Sequence, residues 1–385
     1  MDDAPLELPL RRASLPSERF IDGHHVSLLR NGVEAYPAML GAIDQAREQV
    51  LLEMYWFGSD TVGWRFANAL MRAAQRGLDV RVIYDAVGSV DADIGMFEQM
   101  RREGVLVLEY NPIFSWRRRI RGARISRRDH RKILVVDAQV GFTGGINIAE
   151  EWCPTDPKVE PWRDDMVRVI GPEARDFVRV FERTWRRHGG DVSSVPARPM
   201  PRHTSQAVQV LSEGNRSRRE IHRAYLANIW FAKQRVWISN SYFVPNPKVV
   251  RALIAAVRRG VDVRVLLPGK IDVWVVQYAS QAMWLKLLRA GVRIYRFGGN
   301  VLHAKTAVVD GRWCTVGTYN LDHLSFSMNL EVNLAVTDEG FGELMDRSFQ
   351  DDLTRAEEVS LERFEQRSVF VRMLEWFFYQ FRSLM

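Results

Sequence analysis

HRKILVVD at His130–Asp137 and HAKTAVVD at His303–Asp310 are two copies of one pattern, H-x-K-x-x-x-x-D. The likeness continues beyond them. GFTGGIN (Gly141–Asn147) follows the first copy and CTVGTYN (Cys314–Asn320) the second, so that Asn147 and Asn320 each stand ten residues after the aspartate. Upstream, AREQVLLEMYWF (Ala46–Phe57) parallels AKQRVWISNSYF (Ala232–Phe243), and AAQRGLDVRVIY (Ala73–Tyr84) parallels AVRRGVDVRVLL (Ala256–Leu267). REGVLVLEYNP from Arg102 and RAGVRIYRFGG from Arg289 form a third pair just before each motif. A single match would be weak evidence, but two in the same order are a duplication. The offset of about 175 to 185 residues is too long for a solenoid repeat and reads as a duplicated domain.

Periodicity makes each half alternate strand and helix. Val26–Leu29, Val50–Phe57, Val80–Tyr84 and Val105–Tyr110 read as strands, with helices over Ala35–Glu48, Val62–Arg76 and Phe97–Arg102, and each motif forms a strand, turn and strand. This argues for an α/β sandwich in each half. The expected divisions are a polar leader over 1–20, a first domain over 21–188, a Pro/Ser/Gly-rich linker over 189–206, a second domain over 207–360 and an amphipathic segment over 361–385.

In an extended segment residues i and i+2 share a face, so His130 and Lys132 project together, as do His303 and Lys305. Asp137 and Asp310 fall on the opposite parity, in stretches (VDAQV, VDGRW) that look like tight turns. They are read equally as hairpin-shaping residues or as groups touching substrate.

The chain has 385 residues, 46% apolar and 26% charged, ample for two domains with their own cores. A net charge of +7 favours anionic partners, phospholipid surfaces or nucleic acid. Cys153 and Cys314 suggest neither a disulfide framework nor a metal cluster, and Cys314 reads as a buried thiol. There is no pattern of a signal peptide and no run of apolar residues long enough to span a bilayer, so the expected location is cytoplasmic, peripheral at the inner face of the cell membrane.

The paired motifs resemble the phospholipase D superfamily, and RDHRKILVVD, GGIN and PWRDDMVRVIGPEARDF (Pro161–Phe177) resemble its short bacterial cardiolipin synthases. The resemblance covers nearly the whole chain. It implies two tandem α/β sandwich domains about a pseudo-twofold axis, sharing one metal-independent, cofactor-free phosphodiester-exchange site. One histidine attacks phosphorus to give a phosphohistidine, while the other protonates the leaving alkoxide and then deprotonates the acceptor. Lys132, Lys305, Asn147 and Asn320 would hold the non-bridging oxygens. Asp164 and Glu331 match the positions of histidine-orienting acids. The family habit makes His130 the nucleophile and His303 the acid/base, and the arginines beside His130 (Arg127, Arg128, Arg131) suggest the same by holding its imidazole unprotonated. The second half carries Thr318 where the family commonly has Ser.

The leading activity is cardiolipin synthesis from two phosphatidylglycerol molecules with release of glycerol. Phospholipase D-type hydrolysis to phosphatidic acid is the alternative, a nuclease is less favoured because no aromatic stacking module is evident, and intact motifs argue against an inactive scaffold. The expected partners are therefore anionic phospholipids at a membrane surface. Two further segments bear on that surface. Seven arginines (117, 118, 119, 121, 124, 127 and 128) precede His130, either as a solvated basic loop or as a collar gathering lipid phosphates. In SVFVRMLEWFFYQFRSLM, Phe370, Met373, Leu374, Phe377 and Phe381 recur at helical spacing, as a core-packing or an interfacial helix.

Overall fold

Each half builds an open sheet around its H-x-K strand. The computed structural model describes residues 17–112, 127–189, 205–215, 218–271 and 274–381. The first half contributes β1 (Ser17–Ile21), β2 (His24–Arg30), β3 (Gln49–Met54), β4 (Asp79–Asp85), β5 (Leu106–Tyr110), β6 (Lys132–Val136), β7 (Val140–Gly144) and β8 (Asp165–Ile170). These assemble as β1-β2-β8-β7-β6-β3-β4-β5. The second half contributes β9 (Val208–Asn215), β10 (Arg218–Arg219), β11 (Arg235–Asn240), β12 (Asp262–Pro268), β13 (Arg293–Phe297), β14 (Lys305–Val309), β15 (Trp313–Gly317), β16 (Glu331–Thr337) and β17 (Ala356–Glu358). Their order, β10-β9-β16-β15-β14-β11-β12-β13-β17, repeats the first with an added edge strand, β17, that the repeat pattern did not reveal. β3-β4-β5 and β11-β12-β13 are parallel, whereas the motif strands pair antiparallel to β3 and β11.

The central strands read as unbroken apolar runs because both their faces are covered. Outside the first sheet lie the helices Asn31–Gln45, Thr61–Gln75 and Ile94–Arg102, which bury Met39, Ile43, Phe66, Leu70 and Phe97 against it. Outside the second lie Glu220–Phe231, Pro247–Arg258 and Trp274–Arg289. Polar caps set their starts: Asp60 accepts from the Gly63 N–H, and Asn246 from Lys248 and Val249. The inner faces share a third core, in which Leu51, Ile133 and Val135 meet Trp237, Val308 and Val316. The helices Ala174–Arg187 and Glu339–Leu353 fill that middle layer through Phe177, Phe181, Phe341 and Phe349.

Two short β-bridges stitch the halves together, Asp129 with Leu330 and Arg163 with Leu302. The His130 N–H donates to the Leu330 carbonyl (3.0 Å), and the His303 N–H to the Arg163 carbonyl (2.8 Å). Each motif histidine is thus anchored by the backbone of the opposite half.

The motif hairpins turn through left-handed residues, Asp137 and Ala138 (φ 52° and 53°) in one half and Asp310 and Gly311 (φ 53° and 63°) in the other. The Asp137 carboxylate accepts the backbone N–H groups of Arg47, Glu48 and Gln49 at 2.8–2.9 Å. Asp310 does the same for Lys233, Gln234 and Arg235 at 2.7–3.0 Å.

The last helix, Val369–Gln380, lies on Trp274–Arg289, with Phe378 against Trp274 and Tyr278. Its outward face carries Phe370, Met373, Trp376 and Phe377, each at least half exposed, while its acid, Glu375, is buried against Arg367. It is thus docked on one side and apolar on the other. Among the described residues no helix is long and apolar enough to cross a membrane. The arginines at 117, 118, 119, 121 and 124, residues 190–204 of the expected linker and 1–16 of the leader lie outside the described residues.

Candidate active site

The motif strands end beside the inter-half bridges, and this brings both histidines and both lysines to one place. His130, Lys132, His303 and Lys305 are all buried. The ammonium of Lys132 donates to the His130 carbonyl at 2.8 Å. That of Lys305 donates to the His303 carbonyl and to Ser241 Oγ, the latter at 2.6 Å.

The orienting acids are exchanged between halves. His130 Nδ1 donates to Glu331 (3.1 and 3.2 Å), and His303 Nδ1 donates to Asp164 Oδ2 (2.7 Å). A carboxylate only accepts, so each Nδ1 carries the hydrogen and each Nε2 is left to react. The two acids occupy matching places: Asp164 lies two residues before Met166, which pairs with Gly144, and Glu331 lies two before Asn333, which pairs with Gly317. The adjoining Asp165 has another partner, Arg163 at 2.7 Å.

Burial would favour the neutral acids, yet the histidine beside each holds its carboxyl below the usual range, aided at Glu331 by Thr318 and at Asp164 by Lys305 and Trp152. Burial lowers both imidazoles. His303 falls to about 4, Lys305 pushing it the same way against the pull of Asp164. His130 is lowered by burial and by Lys132 and Lys305, against the pull of Glu331. Burial and the facing Lys305 also bring Lys132 down to about 7. Two lysines facing each other in a buried pocket repel when charged, an arrangement that an anion between them would relieve.

Asn147 and Asn320 follow the motif hairpins and are buried here. Asn147 Oδ1 accepts from the Trp56 N–H at 3.1 Å, and Asn320 Oδ1 from the Ser241 hydroxyl at 3.1 Å. With each carbonyl oxygen engaged, the amide N–H groups are the donors available for a ligand.

Two expectations need correction. Asp137 and Asp310 do not join this cluster: they sit at the far ends of β6 and β14, roughly 15 Å of strand away, where they cap the start of the neighbouring strand. Their parity in the motif already pointed that way. Nor do the arginines beside His130 set its charge state. Arg131 is turned into Asp129 and Glu53, and Arg128 faces Asp85, so their charge is spent beneath the pocket. His303, with no such neighbours in sequence, is lowered as well.

Several participants were not foreseen. Trp152 donates its indole N–H to Asp164 (2.8 Å) and sets its ring edge-on to His303 at 5.3 Å, with Trp162 at 5.7 Å. Thr318 and Ser325 donate their hydroxyls to Glu331, so the threonine at the family's serine position keeps the contact. Tyr55 places its ring 4.9 Å from the His130 ring and 4.9 Å from Lys132 Nζ. The duplicated segments ending in EMYWF and SNSYF contain Tyr55 and Ser241 at matching positions, the signal through which both were findable.

A family model described as cardiolipin synthase, PLD-like domain matches residues 39–185 and again residues 225–353. The chain is 35% identical over 344 residues to cardiolipin synthase B of Salmonella typhimurium, covering 86% of this chain and 80% of that one. It is 34% identical over 383 residues to a cardiolipin synthase of Geobacillus kaustophilus, covering 97% and 75%. In fold it is similar to a phosphatidylserine synthase of Haemophilus influenzae, with a TM-score of 0.72 at 13% identity over 94% of this chain and 95% of that one.

Proposed function

Since the chain belongs to the cardiolipin synthase, PLD-like domain family, we propose that it transfers a phosphatidyl group between two phosphatidylglycerol molecules, forming cardiolipin and releasing glycerol. The observation that carries this reading is the pair of exchanged histidine–carboxylate contacts around two buried lysines. The donor's phosphodiester lies between Lys132 and Lys305, its non-bridging oxygens taking their charge and the amides of Asn147 and Asn320. His130 Nε2 bonds to phosphorus as the P–O bond to glycerol breaks, and His303 gives that oxygen its proton. A second phosphatidylglycerol then yields its hydroxyl proton to His303 as its oxygen displaces His130 from phosphorus. The arriving phosphate raises the depressed His303 back toward protonation, so the acid is created by the substrate it serves.

A peripheral position at the inner face of the membrane fits the last helix. β12 ends level with the catalytic end of β11 and β14, and Trp274 begins its helix six residues after Pro268. Phe378 meets Trp274 and Tyr278, which leaves a face ending in Phe377 and Phe381 exposed. Such a face suits burial among lipid headgroups. Removing Ser368–Met385 is expected to weaken binding to phosphatidylglycerol vesicles in a flotation assay; unchanged binding would exclude the helix as the contact.

Incubating the purified protein with radiolabelled phosphatidylglycerol vesicles tests the reaction. Cardiolipin with an equivalent of glycerol is the expected outcome. Phosphatidic acid alone would make the enzyme a hydrolase, and neither product would remove the reading.

A further inference from the structure

The sheet register makes Tyr55 and Ser241 equivalents, for Met54 pairs with Lys132 as Asn240 pairs with Lys305, and each residue comes next. Their side chains differ completely. The Ser241 hydroxyl accepts from Lys305 and donates to Asn320, joining that lysine and amide by hydrogen bonds. Tyr55 instead lays an aromatic ring against His130 and Lys132. The histidine, lysine and asparagine of each motif are duplicated, so the two histidines cannot be told apart by their own motifs. We propose that Tyr55 is a positioning residue that makes the two lysines unequal, its ring steadying the Lys132 ammonium and packing on His130 where the other half has a hydrogen-bonding serine on Lys305. The proposal rests on the reading of His130 and His303 as the reacting pair.

The ring does two physical things. Its electron-rich face attracts the ammonium at 4.9 Å, an attraction that strengthens once water is excluded. It works beside the other charges around Lys132: Lys305 opposes the ammonium, whereas Glu331, Asp164 and Asp129 favour it. The ring edge also meets the imidazole, which restricts the path of water toward His130 and fixes the direction of Nε2.

The chain has seven lysines, so full-length protein carrying 13Cε-lysine gives a spectrum that single Lys→Arg variants assign. In the wild type the Hε protons of Lys132 are expected upfield of those of Lys305 through the ring current of Tyr55; coincident positions would overturn the proposal without any variant. Tyr55→Phe should titrate as the wild type does. Tyr55→Leu should move the Lys132 titration about half a unit to one unit toward acid, the size of a lost cation–π contact, while Lys305 stays or moves the other way. An unmoved Lys132 would refute the ring's role. In reactions stopped with alkaline denaturant, which preserves a phosphohistidine, and with phosphatidylglycerol labelled in its phosphate, adduct should map to the His130 peptide in the wild type and divide between both histidine peptides in Tyr55→Ser. Label confined to His130 in that variant counts against Tyr55. Absence of any adduct in the wild type counts instead against the reaction, and the lysine spectra still decide where Tyr55 acts.

Discussion

Asp164 and Glu331 serve opposite histidines in the same way, and the two halves hold them by different means. In the second half the position after Gly317 is Thr318, whose hydroxyl donates to Glu331 with help from Ser325. The matching residue in the first half is Gly145, where an added Cβ would lie 2.2 Å from Asp164 Oδ1, and the donor comes instead from the indole of Trp152. A longer acid with a hydroxyl and a shorter acid with a tryptophan reach one end: a charged carboxylate against Nδ1. The two halves share the histidine, the lysine and the asparagine while the supports of their acids differ, which is why the motifs look symmetric and the surroundings do not.

The largest effects should come from the atoms kept in common. His130→Ala and His303→Ala are each expected to lower turnover by several orders of magnitude, and the double variant by little more than either, because the pair works as a unit. Near-normal turnover in either single variant would break the shared site in two. The supports come next. Glu331→Gln and Asp164→Asn should each reduce turnover by about 10²- to 10⁴-fold, as loss of an imidazole's orienting acid does. Gly145→Ala should approach that loss, whereas Thr318→Gly, which leaves Ser325 in place, should cost only about tenfold; equal losses would show that the two supports are not alternatives.

Acid–base behaviour sharpens the same comparison. His303, lowered to about 4, is neutral at pH 7 in the free protein, and Lys132, lowered to about 7, is there only partly charged. A bound anion raises both, so binding of inorganic phosphate at pH 7 should take up protons, seen as a dependence of calorimetric enthalpy on buffer ionisation. For the free enzyme, kcat/KM should fall above about pH 7 as Lys132 loses its charge, and at acid pH as His130 becomes protonated. The limbs belong to the coupled groups together. Proton release on binding would reverse the scheme.

Smaller effects lie at the hairpins. Asp137→Ala and Asp310→Ala each strip a carboxylate from three backbone N–H groups and should lower stability by about 1 to 3 kcal/mol, with activity per folded molecule nearly unchanged. Rate loss without loss of melting temperature would return these residues to the chemistry. Ala138 stands at φ 53° where the second half has Gly311 at 63°. Ala138→Gly should therefore raise stability by up to about 1 kcal/mol, the relief of left-handed strain exceeding the added chain entropy.

The repeat made most of the fold legible, since apolar runs at strand length and helical stripes ending at Gly77 recur in order. The motif itself paired His130 with Lys132, and the family pattern located Asp164 and Glu331. What stayed hidden was partnership across the halves. Nothing near Asp164 in sequence says that its imidazole belongs to His303, because the contact depends on the bridge between Arg163 and Leu302. Charge read along the chain misled for a related reason: Arg131 follows His130 directly, yet alternation sends it into Asp129 and Glu53 on the other side of the sheet.

The exchange of acids has a consequence for descent. In a tandem duplication one copy is ordinarily free to decay while the other carries the work. Here a lost Asp164 silences the histidine of the other copy, and a lost Glu331 does the same in reverse. Neither copy can lose its acid alone, so the two halves of this chain are held to one fate by the contacts they exchange.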